Sequence, residues 1–402
     1  MSAVFTFIGV VPRTDLGPSA LRRTPKAFRT GGAPATPPSS GSVAGAAGAL
    51  YRGGVPGARR ANGSFRGGAG EAGKRRCMAG RKAVWIEGGT FLMGSDEFYP
   101  EERPAHRVAV DGFWMDAHPV TAAEFRRFVD ATGWVTVAER PPNPADYPGV
   151  DPSLLVPGSL VFRCPPHRVS LRDHRQWWAY VPGACWHRPE GPGSSLTGRE
   201  DHPVTHVAWE DAEAFARWGG KSLPTEAEWE FAARGGLEGM RFVWGDEFAP
   251  GGRMLANTWQ GEFPWQNLAA DGFEGTSPVD AFPPNGYGLF DMPGNVWEWT
   301  ADFFTSHHSA DPVKACCIPK NPRLTSAPRK DAGGPPGAAI PRRVVKGGSH
   351  LCAPNYCLRY RPAARQGESV DTSACHIGFR CIVRPDGAAP LSRASGTRKE
   401  HA

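Results

Sequence analysis

The 402-residue chain lacks any run of eighteen or more apolar residues, so no helix of membrane-spanning length is encoded. Its apolar opening, Val4 to Val11, has no basic residue before it and no small-residue cleavage pattern soon after it, which argues against a signal peptide. The familiar catalytic signatures are also missing. There is no GxSxG elbow, HExxH pair, GxxxxGKS/T loop or EF-hand loop, and hydrolase, zincin and kinase chemistry lose most of their support. No CxxC pair occurs, and nine cysteines is an odd number, so a disulfide framework is poorly supported. Long helices are excluded too: with 50 Gly and 40 Pro, loops and turns must dominate, and neither a helical bundle nor a coiled coil fits.

What is present divides unevenly. Residues 1–80 hold 12 of the 46 Lys and Arg but only Asp15 and Glu71 among the 40 acidic residues, so that stretch carries +10 and the remainder −4. A nucleic-acid partner would require a basic stripe on the folded part, which is slightly acidic, and that reading is set aside. The same stretch is rich in Gly, Ala, Pro, Ser and Arg and poor in aromatics, a composition that cannot offset chain entropy by burial. We expect 1–80 to be a disordered basic tail, with Met78 as a candidate translation start, 81–386 to be the patterned domain, and 387–402 to be a flexible end.

From Val84 onward, short runs of alternating polarity punctuated by Gly read as strands, as in VWIEGGTFLMGS and HRVAVDGFWM. Three short helices are expected. Thr121 caps the first, with Glu124 completing a capping box and Gly133 ending it; the second runs from Glu210 to Gly219. Thr225 and Glu228 box the third, with Trp229 and Ala232 or Ala233 facing inward. After Gly235 nearly everything reads as loop, and so apolar a loop region needs disulfides or metal ions to hold it.

Among the cysteines, Cys352 and Cys357 in GGSHLCAPNYC stand apart, because a five-residue separation containing Pro354 and Asn355 is a turn that can bring two sulfurs together. A local disulfide, a soft-metal dithiolate and two unrelated core thiols all remain open. Two thiolates without a nearby His favour a monovalent ion such as copper(I) over zinc. His307, His308, Cys316 and Cys317 have zinc-compatible types but poor tetrahedral spacing, and the default there is a polar loop. Asn257, Asp271, Asp291 and Glu298 are oxygen donors among Gly-rich turns, as calcium would require, although Asn and Asp are also ordinary turn formers.

Taken together, GGTFLMGS, DHPVTHVAWEDAEAFARWGGKSLPTEAEWEFAARGG, NTWQGEFP, PPNGYGLFDMPGNVWEWT and RVVKGGSHLCAPNYCLRYRPAARQ followed by HIGFRC resemble the formylglycine-generating enzymes, or sulfatase-modifying factors, of the shorter bacterial type. The resemblance covers Val84 to Val383. It implies an α+β fold: a single loop-rich domain with little regular secondary structure, of the C-type-lectin-like kind. It also implies an aerobic oxidase that converts a cysteine in a CxPxR segment of nascent or unfolded sulfatases to Cα-formylglycine. Cys352 and Cys357 would bind copper(I), molecular oxygen would be co-substrate, and Ser349 would be a further active-site residue. Arg365, Trp178 and His376 would belong to the substrate groove, although Arg365 could instead pair with a buried carboxylate, and Trp177 and Trp178 are not separable from sequence.

The resemblance further implies structural Ca2+ at Asn257, Thr258, Asp271 and Phe273 and again at Asp291, Gly294, Val296 and Glu298. Thr258, Phe273, Gly294 and Val296 would contribute main-chain oxygens. Positions matching vertebrate disulfides are Ala216, Ala233 and Pro362, which leaves Cys381 without that partner and suits a reducing cytoplasm. A monomer without membrane attachment is expected. The alternative is a non-catalytic lectin-like binding relative in which Cys352 and Cys357 form a disulfide.

Overall fold

The computed structural model describes residues 83–308, 318–328 and 340–385; the expected tails, Cys316 and Cys317 lie outside them. In chain order the elements are β1 (Ala83–Ile86), β2 (Gly89–Met93), β3 (His106–Val110), β4 (Phe113–Asp116), α1 (Ala122–Thr132), β5 (Gly158–Phe162) and β6 (Trp178–Pro182). There follow α2 (Trp209–Trp218), α3 (Glu226–Arg234), β7 (Trp297–Phe303), β8 (Arg342–Lys346), β9 (Arg365–Ser369), β10 (Ile377–Gly378) and β11 (Ile382–Val383), joined by long irregular segments and short 3-10 turns. This is the loop-rich α+β architecture expected from the sequence.

The three helices form for local reasons. Thr121 accepts from the Glu124 N–H while the Glu124 carboxylate accepts from the Thr121 N–H, and Gly133 closes α1 in the left-handed region at φ 67°. Phe125 and Phe128 of α1 are buried against Phe215 of α2, with Phe379 and Trp186 completing an aromatic cluster. Each such ring contributes roughly 1.5–3 kcal/mol by burial.

Helix α3 differs from expectation, because every residue from Glu226 to Arg234 is buried and not merely one stripe. Its charges are tolerated because each is paired. Glu226 meets Arg365, Glu228 meets Arg384, and Glu230 meets both Arg234 and Lys346.

The region after Gly235 also departs from the loop expectation. A four-stranded sheet in the order β10-β7-β8-β9 is built almost wholly from it. Strand β7 is buried on both faces and so shows no alternation, and all of β8 is buried despite containing Arg342, Arg343 and Lys346. The register positions the site. Glu298 near the start of β7 faces Lys346 at the end of β8, and Ile377 of β10 runs parallel beside Trp297. The end of β8 and the starts of β7 and β10 therefore meet at one margin of the sheet.

Candidate active site

At that margin the chain leaves β8 through Gly347 and Gly348, both left-handed at φ 91° and 68°. A Cβ on Gly347 would meet the Met292 carbonyl and the Trp229 ring, and one on Gly348 would meet the backbone of Arg359 and Tyr360. Only glycine permits this double turn, which delivers Ser349 to the sheet margin. Two further turns follow: Cys352 N–H donates to the Ser349 carbonyl at 2.9 Å, and Cys357 N–H to the Ala353 carbonyl at 2.7 Å. The result is a buried pair of free thiols with Sγ–Sγ 3.1 Å. The Asn355 side chain pins this turn to Phe263, and Tyr356 stacks on the Phe263 ring at 4.4 Å.

The two sulfurs are electrostatically unequal. Burial pushes the Cys352 thiol up, whereas Cys357 is drawn down to about 6, first by its hydrogen bond from Cys352 and then, against the cost of burial, by the Arg359 guanidinium. Either sulfur can donate across the pair, and Arg359 favours the charge on Cys357. The Ser349 N–H also points at Cys352 Sγ, at 3.4 Å, while the Ser349 hydroxyl accepts from the Leu351 N–H at 3.2 Å. Arg359 is held over the Tyr99 ring at 3.8 Å and paired to Glu101.

A cavity of about 100 Å3 opens beside the sulfurs. Cys352, Cys357, Ser349, Trp178 and His376 all line it, so the structure brings five of the expected site residues together. Trp178 and His376 lie side by side with ring centroids 4.8 Å apart, and burial takes His376 down to about 3, leaving a neutral imidazole. The two tryptophans are now separable: Trp178 faces the cavity, and Trp177 is buried against Phe263 and Tyr356.

Arg365 is not part of this wall. Its guanidinium is buried and engaged with Glu226 and the carbonyls of Glu101 and Thr305, which is the buried-carboxylate pairing weighed from the sequence. Tyr356, Arg359 and Glu368 line the cavity without having been singled out from sequence. The first two flank Cys357 in the same motif, and that proximity was the available signal.

The oxygen-rich loops abut one another and the sulfur-bearing turn. Asn295 N–H donates to the Asn257 carbonyl at 2.8 Å, and Gly294, left-handed at φ 76°, has no room for a Cβ against that carbonyl. Gly294 N–H donates to Gly347, and the His350 N–H and ring Nδ1 both reach the Asn295 carbonyl.

In the first loop, Asn257 Oδ1 is buried without a hydrogen-bond partner, and Asp271 is held by the N–H groups of Thr258 and Phe273. An orphaned buried oxygen beside a carboxylate fits a hard cation. In the second, burial pushes Asp291 up to about 6 and the Glu298 charge adds to it, again a fit for a cation. Glu298 is already gripped by Arg380 and by Trp229 Nε1, which leaves it fewer lone pairs to give.

The structure is a loop-rich α+β scaffold that sets a buried, unequal dithiol into the wall of a small aromatic-lined cavity. The sequence from residue 69 to 385 matches the sulfatase-modifying factor enzyme 1-like domain, and the chain belongs to that family of formylglycine-generating enzymes. It is 54% identical over 303 residues to the formylglycine-generating enzyme of Mycobacterium tuberculosis, covering 75% of this chain and 97% of that protein. It is also 38% identical over 312 residues, 74% of this chain and 84% of the other, to a Mus musculus protein named inactive C-alpha-formylglycine-generating enzyme 2. The solved structure of PvdO from Pseudomonas aeruginosa superposes with a TM-score of 0.52 at 22% identity, covering 76% of this chain and 95% of that one, and supports the fold alone.

Proposed function

We propose that this chain activates sulfatases by oxidising a cysteine in a CxPxR segment to Cα-formylglycine, with copper(I) at Cys352 and Cys357 and molecular oxygen as co-substrate. The observation that carries this reading is the free dithiol at 3.1 Å, of opposite protonation tendency, in the wall of a cavity. The donor set fits the ion: two sulfurs and no histidine suit a soft monovalent metal. Bound there, copper would supply the one-electron chemistry with oxygen that side chains lack.

The chain's own residues do the rest. Cys357 is the readier thiolate, and the Ser349 N–H stabilises charge on Cys352. Arg359 lines the cavity as a fixed positive charge and favours a substrate thiolate over a thiol. Trp178, Tyr356 and Phe263 supply apolar walls that exclude water, and His376 stays neutral between them. The partner is a nascent or unfolded sulfatase chain, since only an extended segment can present one side chain to so small a cavity. Calcium would pin the two oxygen-rich loops, and the chain would act as a cytoplasmic monomer in bacteria.

The test is turnover of a synthetic CxPxR peptide by copper-loaded protein in air, with mass spectrometry and hydrazide capture of the aldehyde. Aldehyde that needs copper and both cysteines supports the proposal. A second reading, a non-catalytic binding relative with Cys352 and Cys357 joined, draws on the relative named inactive. On that reading this chain would bind no copper at Cys352 and Cys357 and show two fewer titratable thiols.

A further inference from the structure

A second cluster of metal-ligand side chains lies outside the site described above. Among the described residues, Glu139, Cys185 and His187 each present one ligand atom, and these atoms lie within 4.8 Å of one another. We propose that they form a binding site for a zinc-class divalent cation.

Local structure builds the cluster. Cys185 and Arg188 exchange backbone hydrogen bonds at 3.1 and 3.0 Å, and this tight reversal brings the side chains of Cys185 and His187 together, with the buried Trp186 ring packed edge-on against His187 at 5.1 Å. Glu139 ends the 3-10 turn Val137–Glu139, 46 residues before Cys185 in the chain. Its Oε2 accepts from the Thr136 N–H at 3.1 Å and from the Thr136 hydroxyl at 2.7 Å, which fixes the carboxylate and leaves Oε1 aimed at His187.

The distances suit an ion. Zinc–ligand bonds of about 2.3 Å to sulfur and 2.0–2.1 Å to nitrogen or oxygen in a tetrahedron place S and N about 3.5 Å apart and N and O about 3.3 Å apart. Here Cys185 Sγ is 3.4 Å from His187 Nδ1 and 3.8 Å from Nε2, and Nδ1 is 3.7 Å from Glu139 Oε1, so a small rotation of the ring would bring one nitrogen onto a shared ion. A nucleophilic triad would need sulfur and carboxylate on opposite ring nitrogens. Here the sulfur reaches both ring nitrogens and the carboxylate approaches Nδ1, so no in-line relay from sulfur through the ring to the carboxylate is formed.

The charges also suit: a thiolate, a carboxylate and a neutral imidazole balance a divalent cation. Burial draws the His187 pKa down, which keeps the ring available as a ligand. With the His187 side chain 34% exposed, the fourth position falls to water.

The experiment is cobalt(II) titration of the full chain carrying Cys352→Ala and Cys357→Ala, which removes the other dithiol. We expect one equivalent to bind with a thiolate-to-cobalt charge-transfer band and to be displaced by zinc. His187→Ala in that background should weaken binding by at least the ~10–100-fold that even an outer-shell partner is worth. Cys185→Ser should abolish the band. His187 is a partly exposed side chain, so its variant stays informative even where the buried Cys185 substitution impairs folding; melting without metal monitors both. Absence of the band, or a band unchanged in His187→Ala, overturns the proposal.

Discussion

The Arg365 guanidinium holds the Glu226 carboxylate through two parallel hydrogen bonds, Nε to Oε1 at 2.7 Å and Nη2 to Oε2 at 2.9 Å, with both side chains buried. Burial opposes ionisation of Glu226, but Arg365 and then Lys346 outweigh it and keep the carboxyl below its ordinary range. Removing one partner leaves an uncompensated buried charge, which costs roughly 3–5 kcal/mol. Arg365→Met should therefore lower the melting temperature sharply and leave KM for a CxPxR peptide unchanged in whatever protein folds. A raised KM at unchanged stability would return Arg365 to the substrate groove.

Either Cys352→Ala or Cys357→Ala should reduce aldehyde formation to background, because a single sulfur cannot provide the paired site. Both thiols sit in contact at 3.1 Å, and among the described residues no third cysteine lines the cavity to replace either. Peptide mass spectrometry reads the result directly. Residual turnover in either single variant would refute the paired role.

Glu230 gives a pH dependence with a definite sign. Burial alone would raise its pKa, yet Lys346, Arg234 and the Gly94 N–H overcome that and bring it from 4.5 to about 2. A depressed folded pKa means stability that is present above about 4.5 and lost as pH falls toward 2, on the order of 3 kcal/mol at full extent. Wild type should exceed Glu230→Gln in melting temperature at pH 7, and the gap should narrow below pH 4.5. A gap that is constant from pH 7 to 3 would contradict the assignment.

Calcium should raise the melting temperature in a saturable way, by about 2.7 kcal/mol of stability at a hundred times its Kd. Asp271→Ala should abolish that increment. Glu298→Gln should instead destabilise the protein with or without calcium, because it also breaks the buried Arg380 pair. Identical melting in calcium and in chelator would sink the calcium reading.

Much of the site was legible because its signals are local. The Thr121 and Thr225 capping boxes and the Gly133 stop place α1 and the start of α3 within short windows, and the Cys352 to Cys357 turn is written in six residues. What could not be read depends on distant pairing. Strands β7 and β8 are buried on both faces, so alternation is lost, and the groups that make burial of Arg343 and Lys346 possible, Trp209 and Glu230, come from distant segments. Glu368 reaches the cavity only because β9 registers against β8, opposite Arg343. The buried-carboxylate alternative for Arg365 could be named from the sequence but its partner could not, since Glu226 is 139 residues away.

The junction among Asn257, Gly294, Gly347 and His350 makes the two oxygen-rich loops and the sulfur-bearing turn a single splice. Each strand of that splice is tied to the next by a main-chain hydrogen bond, and glycine at 294 leaves no slack between them. A hard ion and a soft ion, chemically indifferent to one another, would therefore share one mechanical foundation. Slackening at the oxygen loops would reach the sulfur-bearing turn through the bonds from Gly294 to Gly347 and from His350 to Asn295.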